Sequence, residues 1–221
     1  MSPGRGRVSV GERGRTLATA YAYIDGFNLY YGIKKWPAYK WLNIAAMLDT
    51  LFPGDQITKI RYFTANVKGR GNPDSPVRQN SYLRALTSES RVEILRSRFL
   101  VTDTWMREYD PPNKMVHVIK TEEKGSDVNL ATYLMLDAFR KDGDFAIVVS
   151  NDSDLREPIR LVQQPPFGVP VTVFNTFRRH KADMAATHHL ELHVADVRDH
   201  QFPDQVGLPN GKVVTRPAPW R

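Results

Sequence analysis

The chain has 221 residues, 41% of them hydrophobic and 10% aromatic, enough apolar surface for one ordinary domain core. It contains no cysteine, which excludes a disulfide framework, thiolate zinc sites and a cysteine nucleophile, and suits a reducing cytoplasm. The formal net charge of +7 suggests a polyanionic partner, but +3 of it falls in residues 1–16 and +2 in residues 198–221, so charge alone is weak evidence for nucleic acid. No apolar run approaches about 18 residues, so no membrane-spanning helix is expected. The N-terminal arginines lack the apolar stretch of a secretory signal.

Residues 1–16, rich in glycine and arginine and without periodicity, are expected as a disordered basic tail. A first buried strand covers residues 18–24 and ends on Asp25; Leu29, Tyr30 and Ile33 then begin a helical face. Trp36, Tyr39 and Trp41 offer rings that could stack on bases, although aromatics in a small domain more commonly pack. Asn43 is a helix cap for a segment that ends before Pro53-Gly54. A second strand covers residues 56–65. It is followed by the basic loop Lys68-Gly69-Arg70-Gly71-Asn72-Pro73, which could grip phosphates or simply be solvated, and by a helix carrying Arg78 and Arg84.

A third strand is expected over residues 91–101. The turn chemistry of Asp110-Pro111-Pro112-Asn113 predicts a hairpin excursion over roughly residues 102–121. A mostly apolar helix over residues 128–139 follows, with Ser126 as its cap and Asp127 in its first turn, where the helix dipole stabilises a carboxylate. Ala146-Ile147-Val148-Val149 reads as a strand of a parallel sheet covered on both faces, stopping at Ser150-Asn151-Asp152-Ser153-Asp154. A helix to about Val162, a strand over residues 169–174, a helix over 182–188 and a short final strand over 190–194 complete the domain at residue 197. The proline-rich residues 198–221 read as an extended tail.

Strand–helix alternation of this kind argues an α/β fold whose parallel strands bring their C-terminal ends to one edge. Asp25 and the pair Asp152 and Asp154 end two such strands, and Asp127 opens a helix that faces the same edge if its preceding loop is short. Clustered carboxylates repel unless a cation or a proton neutralises them, and oxygen-only ligands suit Mg²⁺ or Mn²⁺. The bland alternative is helix capping by Asp152 or Ser153. The six histidines are scattered; His189 and His193 stand four apart, but no third ligand motif joins them, so packing or surface roles are expected.

Three blocks, Tyr23-Ile24-Asp25-Gly26-Phe27-Asn28-Leu29, Lys124-Gly125-Ser126-Asp127-Val128-Asn129-Leu130-Ala131 and Val149-Ser150-Asn151-Asp152-Ser153-Asp154-Leu155, resemble in order and spacing the signatures of NYN-domain proteins, which are PIN-like ribonucleases. The chain is similar to their bacterial LabA-like branch over roughly residues 18–197, with both tails outside. The resemblance implies a PIN-like Rossmannoid three-layer α/β sandwich, with a central, mostly parallel sheet of about five strands and a small hairpin excursion. It also implies a Mg²⁺- or Mn²⁺-dependent ribonuclease acting on single-stranded RNA, cutting to 5′-phosphate and 3′-hydroxyl ends. By motif match Asp25, Asp127, Asp152 and Asp154 would be catalytic metal ligands, Asn28 would orient Asp25 or a phosphate, and Ser150 would bind a phosphate or a metal-bound water. Glu123 is a fifth acid, read as solvated. Lys68, Arg70, Arg178, Arg179 and Lys181 are expected along the phosphate path.

A PIN-like module that holds RNA or a protein without cutting is the main rival. A haloacid-dehalogenase-type phosphohydrolase fits poorly, because that class needs Asp-x-Asp after the first strand and this chain has Asp25-Gly26-Phe27. A homo-oligomer and an antitoxin-like partner are both compatible with the sequence.

Overall fold

The computed structural model of the chain describes residues 17–69, 72–110, 114–176 and 184–221. β1 (Thr19–Asp25) leads directly into α1 (Gly26–Ile33), with Asp25 itself as the cap, so the helix starts three residues before Leu29. α2 (Ile44–Leu51) is capped as expected, Asn43 Oδ1 accepting from the Ala46 N–H at 3.1 Å. The chain continues through β2 (Gln56–Ala65), α3 (Ser75–Leu86), β3 (Val92–Arg107), β4 (Met115–Lys124) and α4 (Ser126–Arg140). β5 (Phe145–Val149), α5 (Arg156–Val162), β6 (Val171–Asn175) and β7 (His188–Glu191) follow, and then α6 (Val194–Arg198), β8 (Gln205–Gly207) and β9 (Val213–Thr215).

Seven strands form one sheet in the order β4-β3-β2-β1-β5-β6-β7, parallel throughout except for the antiparallel β3–β4 pair. The sheet is therefore larger than the five strands expected, for two reasons. β3 does not stop near Val101: it runs on for 16 residues, and its outer half, Arg98 to Arg107, pairs only with β4, so the expected excursion is continuous with the sheet edge. β7 adds the other edge: the short final strand expected over 190–194 begins already at His188 and joins the sheet, while the described part of the helix expected over 182–188 is not helical. Ala185 has φ +51°, a left-handed conformation that an L-residue adopts singly rather than within a helix, and the strand begins three residues later.

Two apolar cores lie on either side of the sheet. Ala22 and Ile24 of β1 pack with Leu29, Ile33, Met47, Leu48, Leu83 and Leu86 of α1–α3. Tyr23, Val148 and Val173 pack on the opposite face with Leu130, Leu134, Ile159 and Val162 of α4 and α5. The layers are thus helix, sheet, helix, as the three-layer reading requires.

Residues 198–221, read from their prolines as an extended tail, fold back onto the first core. Phe202, Val206, Val214 and Trp220 are buried there, and β8 and β9 form a small hairpin. The prolines space these anchors rather than keeping them solvated. Trp41 receives them: it is fully buried, its ring meets Tyr82, Phe202 and Trp220, and its Nε1–H donates to the Pro203 carbonyl at 2.8 Å. Of the two readings of this aromatic segment, packing accounts for Trp41.

The turn from β1 into α1 is tightly built. A Cβ added to Gly26 would lie 2.6 Å from the Tyr62 ring and 2.7 Å from the Phe63 carbonyl oxygen. Gly26→Ala is expected to destabilise the protein by about 1–3 kcal/mol in urea unfolding, because backbone of β2 must yield. An unfolding midpoint equal to the parent's would mean that α1 sits more loosely on β2 than the contact implies.

Candidate active site

β1 and β5 are neighbours, and their following helices leave to opposite faces, α1 to the first core and α5 to the second. Such a reversal opens a crevice at the C-terminal edge of the sheet, the place where open α/β sheets take their ligands. Asp25 closes β1 there and is only 6% exposed. Its Oδ1 accepts from the Asn28 N–H at 2.9 Å, and its Oδ2 accepts from the Ser150 hydroxyl at 2.9 Å. Asp25 is thus both helix cap and pocket carboxylate, and each oxygen keeps a second lone pair for a further partner. Burial pushes its pKa up; the Asn28 and Ser150 hydrogen bonds counter this, and the charges of Asp152 and Glu123 add to the rise.

Asp127 stands in the first turn of α4, half-buried. Its pKa is pushed up to about 6, first by burial and then by the charges of Asp25, Asp152, Glu123 and Asp154. Four carboxylates from three segments of chain therefore act on Asp127, overcoming the helix dipole that favours its ionised form. Asp152 Oδ1 accepts from the Asp154 N–H at 3.0 Å, while the Asp152 N–H donates to Ser150 Oγ at 3.1 Å. Ser150 thus ties the Asp152 turn to Asp25, and its one proton is directed at Asp25. Asp152 thus caps its turn, as one of the two readings of this stretch expected.

Glu123, read from the sequence as solvated, is not: it is half-buried, bonded to Ser97 Oγ, and its Oε1 accepts from the Ser126 N–H at 3.1 Å. It, rather than Ser126, satisfies the start of α4, whose capping position is Gly125 at φ +104°. The signal was its spacing, three residues before Ser126, the offset at which a capping side chain accepts a backbone N–H. Thr176 was also missed. It is fully buried just past β6, and its hydroxyl donates to Asn28 Oδ1 at 2.6 Å, so Asn28 links α1 to the end of β6.

Lys68 lines a cavity behind α1 that also reaches Gly26 and Phe27. Arg70, Arg178, Arg179 and Lys181 lie outside the described residues. Among the described residues, no three carboxylates or imidazoles stand close enough to hold one metal ion by themselves. Oxygen donors of this kind still fit Mg²⁺, which is commonly bound through one or two carboxylates, with water and substrate phosphate completing its shell.

The charge of Asp127 has a measurable cost. Its pKa is raised from 3.8 to about 6, so the folded chain holds a proton that the unfolded chain has released. Stability from this group is full below the ordinary value and is lost as pH climbs through about 6. Metal-free Asp127→Asn is therefore expected to melt about 2–4 °C above the parent at neutral pH, a contribution on the order of 1 kcal/mol after solvent screening. The gap should close near pH 4, as followed by circular dichroism; a gap independent of pH would remove the charge explanation.

A family model described as the NYN domain matches residues 19–192. The chain belongs to the NYN domain family. The matched span takes in β1 to β7 and all five acids, and places the chain in a PIN-like nuclease family whose members act on RNA and typically use divalent metals. This NYN chain is 28% identical over 170 residues to 6-hydroxy-3-succinoylpyridine 3-monooxygenase HspA of Pseudomonas putida, a match covering 64% of the chain and 54% of that protein. The NYN chain thus spans about half the length of that relative. Its fold resembles the crystal structure of a protein of unknown function from Vibrio parahaemolyticus, with a TM-score of 0.50 at 15% identity, covering 86% of this chain and all of that one.

Proposed function

We propose that this NYN protein is a divalent-metal-dependent ribonuclease that hydrolyses phosphodiester bonds of single-stranded RNA. The observation that carries the reading is that Asp25, Asp152 and Asp154 all bear on Asp127, and Asp152 on Asp25, at the switch point between β1 and β5. Uncompensated, that concentration of charge is costly; a cation removes the cost. Asp25 and Asp127 would hold the ion, with Asp152 and Asp154 reaching it directly or through water. When bound, such an ion neutralises charge on the scissile phosphate and lowers the pKa of a water to make it a nucleophile.

The chain's own residues do the positioning. Ser150 and the Asn28 N–H fix both oxygens of Asp25, so that carboxylate need not reorganise as charge develops. Thr176 holds the Asn28 side chain, and through it the start of α1. Glu123 steadies the first turn of α4 beneath Asp127. Lys68 would meet the RNA backbone as a point charge, and Arg70, Arg178, Arg179 and Lys181 are proposed for the same path. In-line attack by water with departure of the 3′ oxygen leaves 5′-phosphate and 3′-hydroxyl ends.

The test is incubation of purified protein with structured and unstructured RNAs in Mn²⁺, Mg²⁺ or chelator, with end groups mapped. Cleavage in metal alone, at unpaired nucleotides and lost in Asp127→Asn, is the expected result. A second reading, an RNA-holding module that cuts weakly or not at all, is favoured by the absence, among the described residues, of three acids close enough to enclose one ion. Metal-independent binding with no cleavage in either metal would select it. The monooxygenase activity of the Pseudomonas putida relative is not carried over, because the chain spans only 54% of that protein.

A further inference from the structure

Behind α1 lies a cavity of about 470 Å³, a size usual for a small-ligand site. Its floor and walls are aromatic: Tyr62 and Tyr82 are buried below, Tyr30 and Tyr31 stand on α1, and Trp220 closes one end. Its charged groups are all cations, Lys34, Lys40, Lys68 and Arg78, and among the described residues no carboxylate lines it. Lys40 lies 5.0 Å from the Tyr30 ring centre and Lys34 lies 5.6 Å from that of Tyr31, so two cations already sit over aromatic faces. Among the described residues, Arg78 pairs with the exposed Asp74, at 3.8 Å, and donates to the Ser75 hydroxyl. Burial, and then the charges of Lys34 and Arg78, push the Lys40 pKa down. Gln79 makes the loop part of the wall, its amide bonding the Val67 N–H at 2.9 Å and the Ala65 carbonyl at 2.8 Å just before Lys68.

Inorganic phosphate would use the cations and leave the rings idle; an apolar side chain would bury the cations unpaired, which is costly. A planar ring carrying a phosphate uses both. We propose that this cavity binds one nucleotide of the RNA substrate, its base against the tyrosine and tryptophan rings and its phosphate against Lys34, Lys40 and Arg78. The proposal rests on the ribonuclease reading for the identity of the chain that supplies the nucleotide. The cavity shares a wall with the acids: Gly26 and Phe27 line it immediately after Asp25, and the charge of Asp25 is felt by Tyr62 on its floor. A nucleotide seated there flanks the phosphate presented to Asp25 and Asp127. Base–aromatic contacts of this kind tolerate any base, so the site reads a single strand rather than a sequence.

The experiment is equilibrium binding of a fluorescently labelled decauridylate to the full chain in chelator, where cutting cannot interfere. Variants Lys40→Glu, Lys40→Ala and Tyr30→Ala are compared with the parent, each checked for an unchanged melting curve. Lys40→Glu and Tyr30→Ala are each expected to weaken binding about tenfold or more, and Lys40→Ala to flatten the salt dependence by about one ion. Uridine monophosphate should compete weakly and inorganic phosphate more weakly still. Parent-like affinity in all folded variants, or phosphate competing as well as uridine monophosphate, overturns the proposal; free nucleotide binding as tightly as the decamer overturns the assignment to an RNA chain. Because binding is read without metal, loss of cleavage alone would count against the nuclease reading and leave this result standing.

Discussion

Asp25→Asn is expected to lower metal-dependent RNA cleavage at least about a hundredfold while leaving the protein folded, the order of loss seen when one preorganised charge contact is removed. The substitution is nearly isosteric, and asparagine caps helices as well as aspartate does, so the Asn28 N–H keeps an acceptor and α1 keeps its start. Ser150 can turn its hydroxyl to accept from the new amide, since a hydroxyl serves either role. What disappears is one negative charge in a crevice where burial already disfavours it. A folded variant that cuts RNA at the parental rate would take Asp25 out of the chemistry and leave it a helix cap. A variant that unfolds would mean that the cap needs the charge.

Asp137→Ala is the substitution expected to cost the most stability, about 3–5 kcal/mol, or a drop in melting temperature of roughly ten degrees. Asp137 is buried on α4, paired with Arg61 of β2 and accepting the Tyr23 hydroxyl of β1 at 2.6 Å. Arg61 is itself buried, 4.6 Å from the Tyr133 ring centre and bonded by Nε to Glu93 at 3.2 Å. Truncating Asp137 leaves the guanidinium with only the half-exposed Glu93, and leaves the Tyr23 hydroxyl without its acceptor. Replacing both charges, Arg61→Met with Asp137→Leu, should recover most of the loss, because a buried pair is rarely better than matched apolar groups. Urea titration of the three proteins decides this; a cost below about 1 kcal/mol for the single variant would mean that the pair holds little.

The ends of β1 and β5 proved the most legible part of the chain. Short apolar runs stopping at Asp25 and Ser150 carried both the parallel sheet and the edge on which the acids gather, because a buried strand and its terminal polar residue are local signals. Partnerships formed across the sequence were not legible. Glu123 looked solvated because its partner Ser97 arrives from β3, 26 residues away. Thr176 carried no motif, being defined only by its bond to Asn28, 148 residues away. The last segment misled for the same reason: its prolines suggested extension, while the anchors that pin it, Phe202 and Trp220, are recognisable only beside Trp41.

Trp220 carries one more consequence. It lies beyond residue 192, where the shared family segment ends, yet it forms one end of the cavity behind α1. Under the proposed function, every acid lies within that segment, whereas the nucleotide cavity takes one of its rings from outside it. Substitutions in residues 193–221 would then change the strength of the hold on single-stranded RNA without disturbing a single acid, and chimaeras that exchange only this stretch between relatives would inherit the donor's affinity.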